Sequence, residues 1–60
     1  MLRTDTDRKA FLEALADSDQ VEVNDWEAGF IENCLRQTTY SVGQIKIIDR
    51  LFKDYDFELR

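Results

Sequence analysis

Two pairs of aspartates, Asp5-x-Asp7 and Asp17-x-Asp19, imitate the opening of a calcium-binding loop. Such a loop also needs a glycine at its sixth position and a bidentate glutamate at its twelfth. Those positions hold Ala10 and Ala16 after the first pair and Glu22 and Ala28 after the second. The aspartates therefore read as helix caps and turn residues, and no metal site is expected. Cys34 is the one cysteine, and the chain has no histidine to activate it as a nucleophile. Four residues after Phe30, it is expected to be a packed side chain. Gly29 and Gly43 are the only glycines, so no phosphate-cradling loop or nucleotide fingerprint exists. Carboxylate-only catalysis would need two acids converging in a deep cleft, which a chain of this size hardly provides. No catalytic, cofactor-binding or metal-binding residue is expected, and the chain reads as a non-enzyme.

The aromatic residues carry more information. Seven of them occur in 60 residues, beside a generous supply of Ile, Leu and Val. This is more apolar surface than three short helices readily hide, and a leftover patch marks a partner or self-association site. Trp26, Phe52, Tyr55 and Phe57 are the expected anchors, because aromatic side chains dominate interface energetics. The competing expectation is that they complete a small core.

Charge narrows the partner. Thirteen acidic against eight basic residues give a net charge of −5. Seven acids and three bases fall in residues 1–25, six acids and five bases in residues 26–60. Such a balance disfavours neutralising phosphates and so disfavours nucleic acid. Single-stranded nucleic acid is the less excluded form, since Trp26, Tyr40, Tyr55 and Phe57 offer stacking surfaces beside Arg36, Arg50 and Lys53. An acidic chain also invites a third reading, a nucleic-acid mimic that inhibits a DNA-binding protein through Asp17, Asp19 and Glu22.

Three helices must position these groups. Phe11, Leu12, Leu15 and Ala16 recur at helical spacing behind Thr4, Asp5, Thr6 and Asp7, which supply caps and negative charge for a helix over about 4–17. Ser18-Asp19-Gln20 interrupts the pattern, and Val21-Glu22-Val23 is a short extended connection. Asn24 with Glu27 three residues on makes a capping box, with Val23 and Ala28 as a modest hydrophobic staple. It opens a helix over about 25–36 whose apolar residues Trp26, Phe30, Ile31, Cys34 and Leu35 fall on one broad face. Gly29 inside it suggests either a close neighbour or tolerance of a poor helix former. Ser41 with Gln44 forms a second capping box, flanked by Tyr40 and Ile45. The third helix, about 42–55, bears Ile45, Ile48, Leu51, Phe52 and Tyr55 with Ile47 beside them, and Asp49 is spaced to pair with Lys53. Residues 56–60 form a tail, in which Asp56, Phe57, Glu58, Leu59 and Arg60 continue an alternation suited to a half-buried strand or a frayed helix end.

The string Trp26-Glu27-x-x-Phe30-Ile31, followed by Tyr40-Ser41-x-x-Gln44-x-x-Ile47-Ile48-x-x-Leu51, resembles a short helical segment in bacteriophage and plasmid proteins of DNA replication and recombination. The resemblance covers about half of the chain. It implies an accessory module attached to DNA-processing machinery.

The expected fold is all-α: a small three-helix domain, with helices 2 and 3 joined by a short turn. The expected function is a small acidic protein-binding or accessory module, phage-encoded as the resemblance implies, that docks an apolar helical face on a protein partner or forms a homo-oligomer. No apolar run matches a membrane span or a signal peptide, so the location expected is cytoplasmic.

Overall fold

A computed structural model describes the backbone of residues 2–18 and 21–59 and the side chains of that range up to residue 56. Three helices form, α1 over Asp5–Asp17, α2 over Asp25–Leu35 and α3 over Val42–Leu59. No strand occurs among the described residues. The chain is a small all-α domain.

Each helix start is fixed locally. Thr4 stands outside α1 in an extended conformation, and its hydroxyl accepts a hydrogen bond from the Asp7 amide at 3.0 Å. Asp5 and Asp7 add negative charge where the helix dipole is positive. At α2 both arms of the capping box close: the Asn24 side chain accepts from the Glu27 amide at 2.7 Å, and Glu27 accepts from the Asn24 amide at 3.0 Å. Ser41 and Gln44 repeat the exchange before α3, at 3.2 and 3.0 Å. These bonds satisfy amides that the first turn of a helix leaves without partners.

The core follows the inward stripes. Phe11, Leu12 and Leu15 of α1, Ile31 and Cys34 of α2, and Ile48 and Leu51 of α3 are buried, with Val21 and Tyr40 from the connections. Helix α1 is the hub: its backbone packs closely against both α2 and α3. Phe11 meets Phe52 edge-on, with ring centroids 5.3 Å apart. Helices α2 and α3 meet through side chains instead. The Cα radius of gyration of 10.4 Å equals that of a compact globule of this length, about 10 Å.

The connection between α2 and α3 is held at several points. The buried Tyr40 hydroxyl donates to the Cys34 carbonyl at 3.1 Å, and the Gln37 amide donates to the same carbonyl at 3.0 Å. The Gln44 amide group reaches back to the Gln37 side chain at 2.8 Å. A carbonyl at the end of α2 is thereby satisfied without a left-handed residue, and no residue of positive φ occurs among those described.

Two expectations are corrected and one open alternative is decided. Helix α3 runs through residues 56–59, where the sequence suggested a tail. An alternating segment becomes a strand only beside a partner strand, whereas extending an existing helix adds one hydrogen bond per residue fixed. Of the two alternatives at Gly29, the open space fits tolerance of a poor helix former, since a Cβ built there meets nothing within 4 Å. Asp49 and Lys53 are both exposed, and the ion pair among the described residues is Arg8 with Asp5 at 2.6 Å.

Candidate protein-docking surface

Trp26 is 62% exposed, although it lies within a helix and is the largest side chain in the protein. Geometry explains this. Successive residues of an α-helix turn by about 100°, so Trp26 and Leu35, nine positions apart, point to opposite sides of α2. Ile31 and Cys34 set the inward direction, and Trp26 is left on the outer flank. There its indole stacks on Phe30, with ring centroids 5.5 Å apart and planes within 9° of parallel. Phe30 is half-buried and packs against the core, which anchors the pair.

The indole forms a ridge between two shallow hollows. One is bounded by Asp25, Gly29, Phe30 and Asn33 along α2. The other lies in the crevice between α2 and α3, against Asn24, Glu27, Ile47, Arg50, Leu51 and Asp54. The missing side chain at Gly29, open on all sides, lowers the floor of the first. Glu27, on the wall of the crevice, is tied to α3 by the Tyr55 hydroxyl, which donates to it at 2.9 Å.

The four expected anchors are therefore separated. Trp26 is exposed. Phe52 is half-buried against Phe11, and its outer edge lies beside Leu2, Asp49 and Lys53 on a different flank of α3. Tyr55 is half-buried, with its hydroxyl engaged by Glu27. The Phe57 side chain lies outside the described residues. Of the four rings considered for base stacking, Tyr40 is buried and takes no part in any surface. Of the acids considered for nucleic-acid mimicry, Asp17 and Glu22 are exposed, and Asp19 lies outside the described residues.

No family model, curated protein or solved structure matches this chain. Its surface has to be read from its own chemistry.

Titratable groups in the interior sit apart from that surface. Burial pushes the Cys34 thiol above its ordinary range, which keeps it protonated and unreactive. The Tyr40 phenol is also raised, by burial first and then by Cys34, Asp5 and Glu13. Among the described residues no three potential metal ligands gather. Among the described residues no helix is long and apolar enough to cross a membrane. Sequence reasoning missed the inward placement of Glu27, although its spacing from Ile31 and Cys34, at i, i+4 and i+7, is that of a single helical stripe.

Proposed function

We propose that this chain is a small acidic protein-binding module that acts through the Trp26 flank of α2. One observation carries the reading: a tryptophan stacked on a phenylalanine that packs against the core, yet 62% open to solvent. Leaving such a ring in water forgoes a burial that is worth about 25 cal/mol per Å² of apolar surface. Tryptophan is also among the residues most enriched at binding hot spots. Binding rather than catalysis is the proposed activity, because the thiol is buried and protonated and the phenols are tied to internal acceptors. The resemblance of Trp26 to Ile31 and Tyr40 to Leu51 to phage and plasmid segments suggests a cytoplasmic accessory role beside DNA replication or recombination proteins.

The test is paired capture from a lysate of the source cell, with wild-type chain and Trp26→Ala as baits and nuclease added to both. A protein retained by wild type and depleted at least about tenfold by the substitution, a loss of about 1.4 kcal/mol, is the expected result. Retention of nucleic acid alone, lost on nuclease treatment, overturns it in favour of a single-strand binder.

A further inference from the structure

We infer that the occupant of the Trp26 flank is a basic segment of a partner protein, with an arginine on the open indole face and an apolar side chain in the crevice between α2 and α3. The inference rests on the protein-binding reading above and narrows it to one partner chemistry.

The ring supplies the first reason. Phe30 stacks against one face of the indole, and the residue as a whole stays 62% exposed, which gives a cation room on the opposite face. That face carries the negative lobe of the ring quadrupole, which attracts a cation, and tryptophan is the strongest such platform among the side chains. The surroundings supply the second. The two hollows that meet at Trp26 present the carboxylates of Asp25, Glu27 and Asp54 against the single cation Arg50. Glu27 is occupied by Asn24 and Tyr55, whereas Asp25 and Asp54 are exposed. A guanidinium on the open face shares the crevice with Asp54, while Asp25 lines the hollow on the Phe30 side and adds negative charge to the same flank; a planar fork suits stacking and a carboxylate contact together better than an ammonium does. Ile47, half-buried, lines the crevice alongside and provides the apolar contact, with the buried Leu51 behind it.

A second copy of the chain fits less well. Each copy carries a net charge of −5, so two copies repel, and like charges at an interface act against association. The available apolar area is also too small. A fully buried tryptophan covers about 150–250 Å², and a stable interface of standard size needs about 800 Å² from each partner. The entire chain exposes 4520 Å². A single aromatic anchor with charged neighbours suits one segment of a partner. Nucleic acid meets the same acidic rim and is repelled.

Trp26 is the chain's only tryptophan, so its emission reports on this surface alone. The probes are an amphipathic peptide of leucine, alanine and arginine, and a twin with glutamate in place of each arginine. The arginine peptide is expected to quench or shift Trp26 emission saturably, and the glutamate twin to leave it unchanged. Raising NaCl from about 50 to about 500 mM should weaken binding at least about tenfold, as screening shortens the reach of the carboxylates. The double variant D25N/D54N should weaken it by about as much, with an unchanged far-ultraviolet circular dichroism spectrum. Equal affinity for the two twins, binding by neither, or indifference to D25N/D54N overturns the inference. If capture of a protein by wild type and its loss with Trp26→Ala persist in any of those cases, the protein-binding reading stands and only the basic character fails. A shift in emission with protein concentration alone, or on adding a thymidine oligonucleotide, overturns the inference in favour of a second copy or a single strand.

Discussion

Tyr55 donates its hydroxyl to Glu27 at 2.9 Å, and the same carboxylate oxygen closes the capping box with the Asn24 amide at 3.0 Å. One carboxylate thus starts α2 and ties it to α3, 28 residues further along the chain. Glu27 also lines the crevice beside Trp26, so the residue that fixes the helix forms part of the wall of the surface. Helices α2 and α3 have no close backbone packing between them among the described residues, which makes this link one of the few that set their relative position.

The first prediction follows from the shared oxygen. Tyr55→Phe should destabilise the domain by about 0.5–1.5 kcal/mol, the net value of an ordinary hydrogen bond. Glu27→Ala should cost about 1–2 kcal/mol, since it removes one arm of the box and the link together. The double variant should cost less than the sum, because both singles delete the same bond. Urea unfolding of the four proteins checks this, and strict additivity would show that the two residues act independently.

Gly29 gives the second. With nothing within 4 Å of a built Cβ, Gly29→Ala meets no steric obstacle. It should raise stability by about 0.5–1 kcal/mol through the helix propensity of alanine and the reduced freedom of the unfolded chain. A rise in the urea midpoint at constant m-value is the expected result. If the hollow beside Trp26 seats a partner, the same methyl group should weaken binding, so stability and affinity move in opposite directions.

How far these features were legible in the sequence depends on their range. The capping boxes at Asn24 and Ser41 are contained in four residues each, and the stripe of Phe11, Leu12 and Leu15 in one turn and a half; local spacing is enough to read both. The Tyr55–Glu27 bond joins positions 28 apart, and only the packing of α2 and α3 against α1 brings them together. The apolar residues Trp26, Phe30, Ile31, Cys34 and Leu35 span too wide an arc for one buried face. Their spacing reads as one broad face, and which of them the core leaves out depends on where α1 lies. Tyr40 was marked by its place before the Ser41 cap, whereas its inward hydroxyl depends on the Cys34 carbonyl at the end of another helix.

The third prediction concerns Trp26. An exposed ring contributes little to folding beyond its stack on Phe30, a pair worth about 0.5–1.5 kcal/mol. Trp26→Ala should therefore lower stability by about 1 kcal/mol or less, with the helical circular dichroism signal retained. Ile48→Ala is the contrast, since Ile48 is fully buried. Its truncation should cost about 2–5 kcal/mol, enough to unfold a domain of this size at ordinary temperature. Comparable losses from the two substitutions would mean that Trp26 belongs to the core.

The last prediction uses the buried acids of the interior. Both the Cys34 thiol and the Tyr40 phenol are raised by burial, so the folded state holds their protons more tightly than the unfolded state does. Where the unfolded chain has released these protons and the folded chain has not, ionisation favours unfolding. Their contribution is therefore intact below the ordinary thiol value, about 8.5, and is lost as pH rises through that value and the ordinary phenol value, about 10, toward the raised folded values. The urea midpoint should fall on the alkaline side. Cys34→Ala costs stability at neutral pH, yet its profile should lose the lower part of that fall, and Tyr40→Phe should lose the upper part. The thiol also reports opening directly: native chain should react with a disulfide reagent far more slowly than chain in urea, and Trp26→Ala should leave that protection in place. Rapid reaction of the native thiol at neutral pH would show that α2 does not hold Cys34 in the core.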